Sequence, residues 1–182
     1  MKKIVCKLFL FFFLIATAQD KVKTKQQNPF YASFASSNVR FEKDIKPTVS
    51  EINTWETTAW KGEKIHTQIL VWTEKDISNL ELSINNLKKD SDNQIANSNA
   101  KIGFVKYVIT DEFAAGCGYR KPEDFKSSLV ADPIEWTSSM IVKKNELQPI
   151  WLSINIPANL ASGQYEGIVT IKKKKKQSLK VI

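Results

Sequence analysis

The sequence predicts an all-β fold, an antiparallel β-sandwich of immunoglobulin/fibronectin-like general architecture, from three observations. Ile150, Leu152, Ile154 and Ile156 alternate with Trp151, Ser153 and Asn155, the period of a strand with one buried face. Pro157 cannot donate to a sheet ladder and closes that strand, Ser162-Gly163 marks a reversal, and Tyr165, Val169 and Ile171 restart the alternation. Elsewhere short alternating runs follow one another between turn signals, with no long helical period and no internal repeat.

The N-terminus reads as an export signal over residues 1–18. Lys2 and Lys3 supply the positive region, Ile4 to Ile15 is almost wholly apolar, and Ala16-Thr17-Ala18 offers small residues for cleavage before Gln19. The apolar run is shorter than the roughly 20 residues a spanning helix needs, so a periplasmic or extracellular protein with no membrane attachment after cleavage is expected. Residues 19–28 are polar without periodicity, a flexible lead-in, and 29–182 form one sandwich domain. After cleavage only Cys117 remains of the two cysteines, so no internal disulfide is available and stability must come from core burial.

Within the domain, Pro29 to Ser37 is an aromatic-bearing segment rich in Ala and Ser, and Val39 to Phe41 suits a short strand. Pro47 to Ser50 is a turn, and Ile52 to Thr58 has good β propensity. Lys61-Gly62-Glu63 turns into the strongest central strand, Lys64 to Thr73, with Ile65, Thr67, Ile69 and Val71 on one face and Leu70 and Trp72 on the other. Leu80, Leu82 and Ile84 mark a strand with one wet face, and Asp90 to Asn99 is a loop by composition. Lys101 to Thr110 follows, with Val105, Tyr107 and Ile109 facing inward. Residues 111–136 lack alternation and are expected as one long irregular loop, with a helical turn at Pro122-Glu-Asp-Phe125. Met140 to Val142, Ile150 to Ile156 and Gln164 to Lys172 complete the strands, and Leu179 to Ile182 looks like the first residues of a further strand, cut off. The domain is therefore expected to be incomplete at its C-terminal strand, with an unpaired edge there.

The basic balance does not signal nucleic acid. The chain holds 27 basic and 19 acidic residues, for a net charge of +8. Nine of the lysines (Lys2, Lys3, Lys7, Lys172 to Lys176 and Lys180) lie in the signal or the tail; without them 18 basic face 19 acidic residues. No basic face is left for a polyanion duplex, and the lysine run suits a solvated hairpin tip. No cofactor is expected: one histidine and one mature cysteine do not make a nitrogen and sulfur metal site, and no glycine-rich phosphate loop occurs.

Several motifs in order carry a family resemblance: Trp60-Lys-Gly-Glu63, Tyr107-Val-Ile-Thr-Asp111, Gly116-Cys-Gly-Tyr-Arg120, Leu129-Val-Ala-Asp-Pro133, then Pro149-Ile-Trp151 and Gly163-Gln-Tyr-Glu-Gly167. From Trp55 to Ile171 the pattern resembles the N-terminal β-sandwich of glycoside hydrolase family 123. The resemblance implies a parent enzyme that is an exo-acting β-N-acetylgalactosaminidase. In it the sugar's own acetamido group attacks the anomeric carbon, helped by an adjacent Asp–Glu pair. That pair belongs to a C-terminal (β/α)8 barrel of about 250 residues. With nothing after Ile182 in this sequence, the expectation is a non-catalytic accessory domain whose partner is the missing barrel, with no catalytic residue to carry over.

Asp111-Glu112 resembles the catalytic dyad only superficially, because it lies in the sandwich portion, and Glu123-Asp124 fits helix-start electrostatics. His66 sits among Lys64 and Gln68, a surface or structural histidine. Among the five tryptophans, Trp72 is expected in the core and Trp151 on the outward side of its strand, against a partner domain. Trp60, beside a turn, and Trp136, at the end of the long loop, are the candidate platforms for carbohydrate. They support the alternative reading, a stand-alone carbohydrate-binding or cell-surface module for glycans containing N-acetylgalactosamine.

Overall fold

The computed structural model describes residues 30–48, 50–110, 128–173 and 176–182. The export signal, the lead-in, Cys117, Asp111-Glu112 and Glu123-Asp124 lie outside them. Two five-stranded sheets pack face to face, as an all-β sandwich requires. The first runs β1 (Phe30–Ala35), β3 (Lys64–Thr73), β10 (Leu147–Asn155), β7 (Ala100–Thr110), β8 (Ser128–Glu135). The second runs β2 (Thr54–Trp55), β12 (Lys176–Val181), β11 (Gly167–Lys172), β4 (Ile77–Ile84), β9 (Ser139–Val142). A small ribbon of β5 (Leu87–Lys88) and β6 (Gln94–Ile95) precedes a 3-10 turn at Asn97–Asn99.

Strand β10 is the spine of the first sheet, antiparallel to β3 on one side and to β7 on the other. Its inward residues Ile150, Leu152 and Ile154 are fully buried and meet Ile69, Val71 and Phe104 of the same sheet and Leu80, Val169, Ile171 and Leu179 of the other. The alternation read from sequence therefore lands in the core as expected, and so do the two faces of β3. Ile69 and Val71 face the opposite sheet, while Leu70 and Trp72 join Tyr31 and Leu147 in a second cluster on the outer face.

That second cluster has a cover supplied by the chain itself. Residues 36–46 cross the outer face of β1, β3 and β10, with Phe41 against the cluster. The Gln68 Nε2 donates to the carbonyls of Ser36 and Val39, both at 2.6 Å, and the Leu147 N–H donates to the Lys43 carbonyl at 2.7 Å. No strand forms at Val39 to Phe41, since its backbone is spent on this strap; only an isolated bridge joins Glu42 to Val130.

Five further expectations need correction. Phe30–Ala35 is a full edge strand paired along β3, although its Ala and Ser content hid it. Residues 128–135, expected inside the long loop, form β8; Pro133 is tolerated because β8 is an edge strand. The Asp90 to Asn99 stretch holds β6 and the 3-10 turn as well as loop. On β7 the phase is opposite: Ile102 and Phe104 face the inter-sheet core, and a register shift between Val105 and Tyr107 leaves Ile109 76% exposed. Finally, the last strand is not a stub. β12 pairs with all six residues of β11, from Gly167↔Val181 to Lys172↔Lys176, and β2 pairs in parallel with its far edge at Lys180 and Val181. Lysines at 176 and 180 masked a strand whose buried residues are Leu179 and Val181. Lys172 and Lys176 form the last pair of the β11–β12 ladder.

Exposed carboxylates tie the connections. The Asp76 Oδ1 accepts the Lys144 N–H at 2.9 Å, with the Lys143 Nζ 3.7 Å from Oδ2, clamping the start of β4 to the turn before β10. Donation from the Lys144 backbone, helped by the charges of Lys143 and Lys144, holds the Asp76 carboxyl below the ordinary range. A depressed folded value stabilises the fold above the ordinary carboxylate range and ceases to do so as pH falls through it. Asp76→Asn should accordingly unfold at lower urea than the parent at neutral pH, and the two midpoints should converge on acidification. Parallel midpoints at every pH would show that the clamp contributes nothing.

Candidate functional site

Trp60 stands at the tip of the turn that feeds β3 and is 83% exposed. The Glu63 carboxylate accepts its N–H at 2.7 Å, and Gly62 turns the chain with a φ of 81°. The turn is tied to the end of β10 by Gly62 N–H to Ile156 O at 3.0 Å and Ile156 N–H to Glu63 O at 2.8 Å. Beside it a half-open cleft of about 460 Å3 lies between the 56–61 segment and the 160–165 loop, floored by Ile65, Ile156 and Leu160 and rimmed by Glu56, Lys61 and Gln164.

Trp136 follows β8 and is 55% exposed. Its ring rests on Gly103 of β7: a Cβ there would lie 2.8 Å from the Trp136 Cε3 and 2.5 Å from the Ile134 Cγ2. Gly103 is the cross-strand partner of Trp151. The two candidate platforms do not converge, because Trp60 is anchored at Ile156 and Trp136 beside Trp151. At about 3.4 Å per residue those points are roughly 17 Å apart along β10.

Trp151 faces outward as its alternation requires, and it stacks on His66 with ring centroids 4.9 Å apart and planes inclined by 21°. His66 is exposed on β3, opposite Ser153, which in turn opposes Lys101. The outward positions across three strands are thus Lys64, His66 and Gln68 on β3, Trp151, Ser153 and Asn155 on β10, and Lys101 and Gly103 on β7. Sequence reasoning placed Trp151 and His66 each on an outer face but could not bring them together, since their contact depends on the β3–β10 register. Trp72 is buried, as expected.

No group of His, Cys, Asp or Glu suited to a metal occurs among the described residues, and no helix among them is long and apolar enough to cross a membrane. Tyr107 has a buried hydroxyl without a hydrogen-bond partner among the described residues; burial first, then the charges of Glu146 and Asp44, push its phenol above the ordinary range.

Comparison with solved structures and known families fits this geometry. A family 123 glycoside hydrolase from Clostridium perfringens, described in a study of glycolipid glycan hydrolysis, overlaps with a TM-score of 0.72 at 22% identity, across 85% of this chain and 26% of that one. The chain thus spans about a quarter of that relative's length. AvmM, which catalyses macrocyclization in alchivemycin A biosynthesis, reaches a TM-score of 0.37 at 8% identity over 84% of this chain and 88% of its own. The sporulation control protein Spo0M from Bacillus subtilis reaches 0.25 at 9% identity over 83% and 49%. Neither of these two overlaps closely enough to carry an argument. Among curated proteins nothing matches. The model of the glycoside hydrolase 123 N-terminal domain matches residues 34–173, and by that match the chain belongs to this domain family.

Proposed function

We propose that this chain is the non-catalytic N-terminal accessory domain of an exported β-N-acetylgalactosaminidase that works with substrate assistance. The observation that carries the reading is the family match over residues 34–173, from the end of β1 to the end of β11. In that role it packs against a (β/α)8 barrel, which holds the Asp–Glu pair and does the chemistry. The sandwich stabilises the barrel or shapes the approach to its active site, with residues 111–136 as contributor. Export rests on the signal at residues 1–18, with release into the periplasm or outside the cell.

The purified chain should release no aryl alcohol from an aryl β-N-acetylgalactosaminide. Turnover that disappears in Asp111→Asn or Glu112→Gln would sink the reading, because it would place a working dyad within the sandwich.

A further inference from the structure

The two outer faces of the sandwich differ in a way that bears on binding. On the second sheet two lysines have carboxylate partners: Lys180 Nζ lies 2.8 Å from Glu166 Oε2, and Lys172 Nζ 4.0 Å from Glu81 Oε2. On the first sheet, the 36–46 strap closes the half of the outer face that holds Gln68, Leu70, Trp72 and Leu147. The other half is left open. It presents Trp136, Trp151 and His66 side by side, with Lys64, Lys101 and Asn155 exposed around them. Among the described residues neither Lys64 nor Lys101 is ion-paired. No carboxylate stands at the outward positions of these rows.

We propose that this row binds an extended glycan carrying acidic units, with Trp136 and Trp151 packing on sugar rings and Lys64 and Lys101 meeting carboxylate or sulfate groups. The aromatic face carries partial negative charge and attracts the C–H face of a pyranose, while the sugar's hydroxyls need donors and acceptors beside the ring. His66 and Lys101 supply those groups in the outward row next to Trp151, and Asn155 and Lys64 supply more one row further along the strands. Trp136 lies over β7, Trp151 on β10 and His66 on β3, three adjacent strands about 4.8 Å apart, so the row spans roughly 10 Å, the length of a disaccharide. The glycine at 103 belongs to the site, since it lets the Trp136 ring settle beside Trp151. A protein partner fits this composition less well. The cores of protein interfaces are depleted in Lys, whereas Lys64 and Lys101 border the aromatic residues here. The proposal goes beyond the accessory-domain reading and does not depend on it.

The test is a titration of the intact chain with unsulfated chondroitin tetrasaccharide, which alternates N-acetylgalactosamine and glucuronate, followed by tryptophan fluorescence. Saturable binding is expected, weakened about tenfold or more by Trp136→Ala or Trp151→Ala. Lys101→Ala should weaken it and flatten its salt dependence, and Trp60→Ala should bind like the parent. Melting curves check each variant; Lys101 and Trp136 are exposed, so their variants report even if Trp151→Ala unfolds. An absence of saturable change, loss confined to Trp60→Ala, or equal binding of the carboxyl-reduced tetrasaccharide would overturn the proposal. So would amide protection of 101–103 and 151–153 by the Clostridium perfringens catalytic domain with no response to glycan. That outcome would assign the row to an interdomain contact and leave the accessory reading standing. Failure of the accessory reading is registered separately, by dyad-dependent turnover of the chain.

Discussion

Leu152→Ala should cost the domain about 3 kcal/mol, within the 2–5 kcal/mol typical of deleting a buried leucine side chain. The residue sits at the middle of β10, between Thr67 of β3 and Ile102 of β7, fully buried on the inward face. Both strands depend on β10 for their ladder, so a cavity there has little room to collapse. The transfer term and the cavity term therefore add. For a domain of this size, a loss of that order lowers the melting temperature by roughly 6–12 °C. The matched control is Ile141→Ala on β9, 60% exposed, which should change stability by less than about 0.5 kcal/mol. Urea unfolding of the three proteins decides the matter. A Leu152→Ala loss below about 1 kcal/mol would mean that the inter-sheet core does not hold as described.

The contrast between Leu152 and Ile141 also marks what the sequence could disclose. Apolar alternation announces a strand by period two, and Ile65 to Val71, Leu80 to Ile84, Ile150 to Ile154 and Val169 to Ile171 all show it. Edge strands need no such regularity. β1 carries alanines and serines because Ser33 spends its hydroxyl on the loop: it donates to the Phe34 carbonyl and accepts the Ile52 N–H. β8 contains a proline that only an edge tolerates, and β12 carries lysines on its wet face. The phase of β7 was misread for a local reason. Gly103 leaves a gap in the pattern, and the register shift between Val105 and Tyr107 then turns the later residues over. A one-residue slip exchanges the faces of a strand, so an irregularity of this kind defeats any count of alternation.

Site residues follow the same division. Trp60 and Trp136 were legible as exposed because each lies beside a turn or strand end, a local property. Trp151 and His66 were legible only as outward-facing. Their 4.9 Å stack arises from pairing between segments more than eighty residues apart in sequence, with Ser153 opposite His66. Nothing in either segment specifies that register by itself. The strap over β1 and β3 was likewise hidden, since Gln68 reaches two carbonyls that no spacing rule links to it. What the structure adds is the difference between a covered half and an open half of one sheet face.

Gly103→Ala should destabilise the domain by about 1–3 kcal/mol, the usual cost of forcing an extra methyl group into a packed site. Two effects oppose each other. Replacing glycine stiffens the unfolded chain, worth about 0.4–1 kcal/mol in favour of folding where the native backbone permits it. The new Cβ, however, would lie 2.5 Å from the Ile134 Cγ2 and 2.8 Å from the Trp136 Cε3, closer than carbon atoms approach. Steric displacement wins, and the softer of the two neighbours gives way. Ile134 is held within β8, paired with Val105, whereas Trp136 lies just beyond the strand and is more than half exposed. The indole should therefore swing outward, shifting tryptophan emission to the red. A double-mutant cycle isolates this step: in a Trp136→Ala background the cost of Gly103→Ala should fall by about 0.5–1 kcal/mol, leaving the contact with Ile134. Additive costs, with no change in emission, would show that Trp136 does not rest on Gly103 in solution. The Trp136–Trp151 row would then lose the packing that sets its spacing.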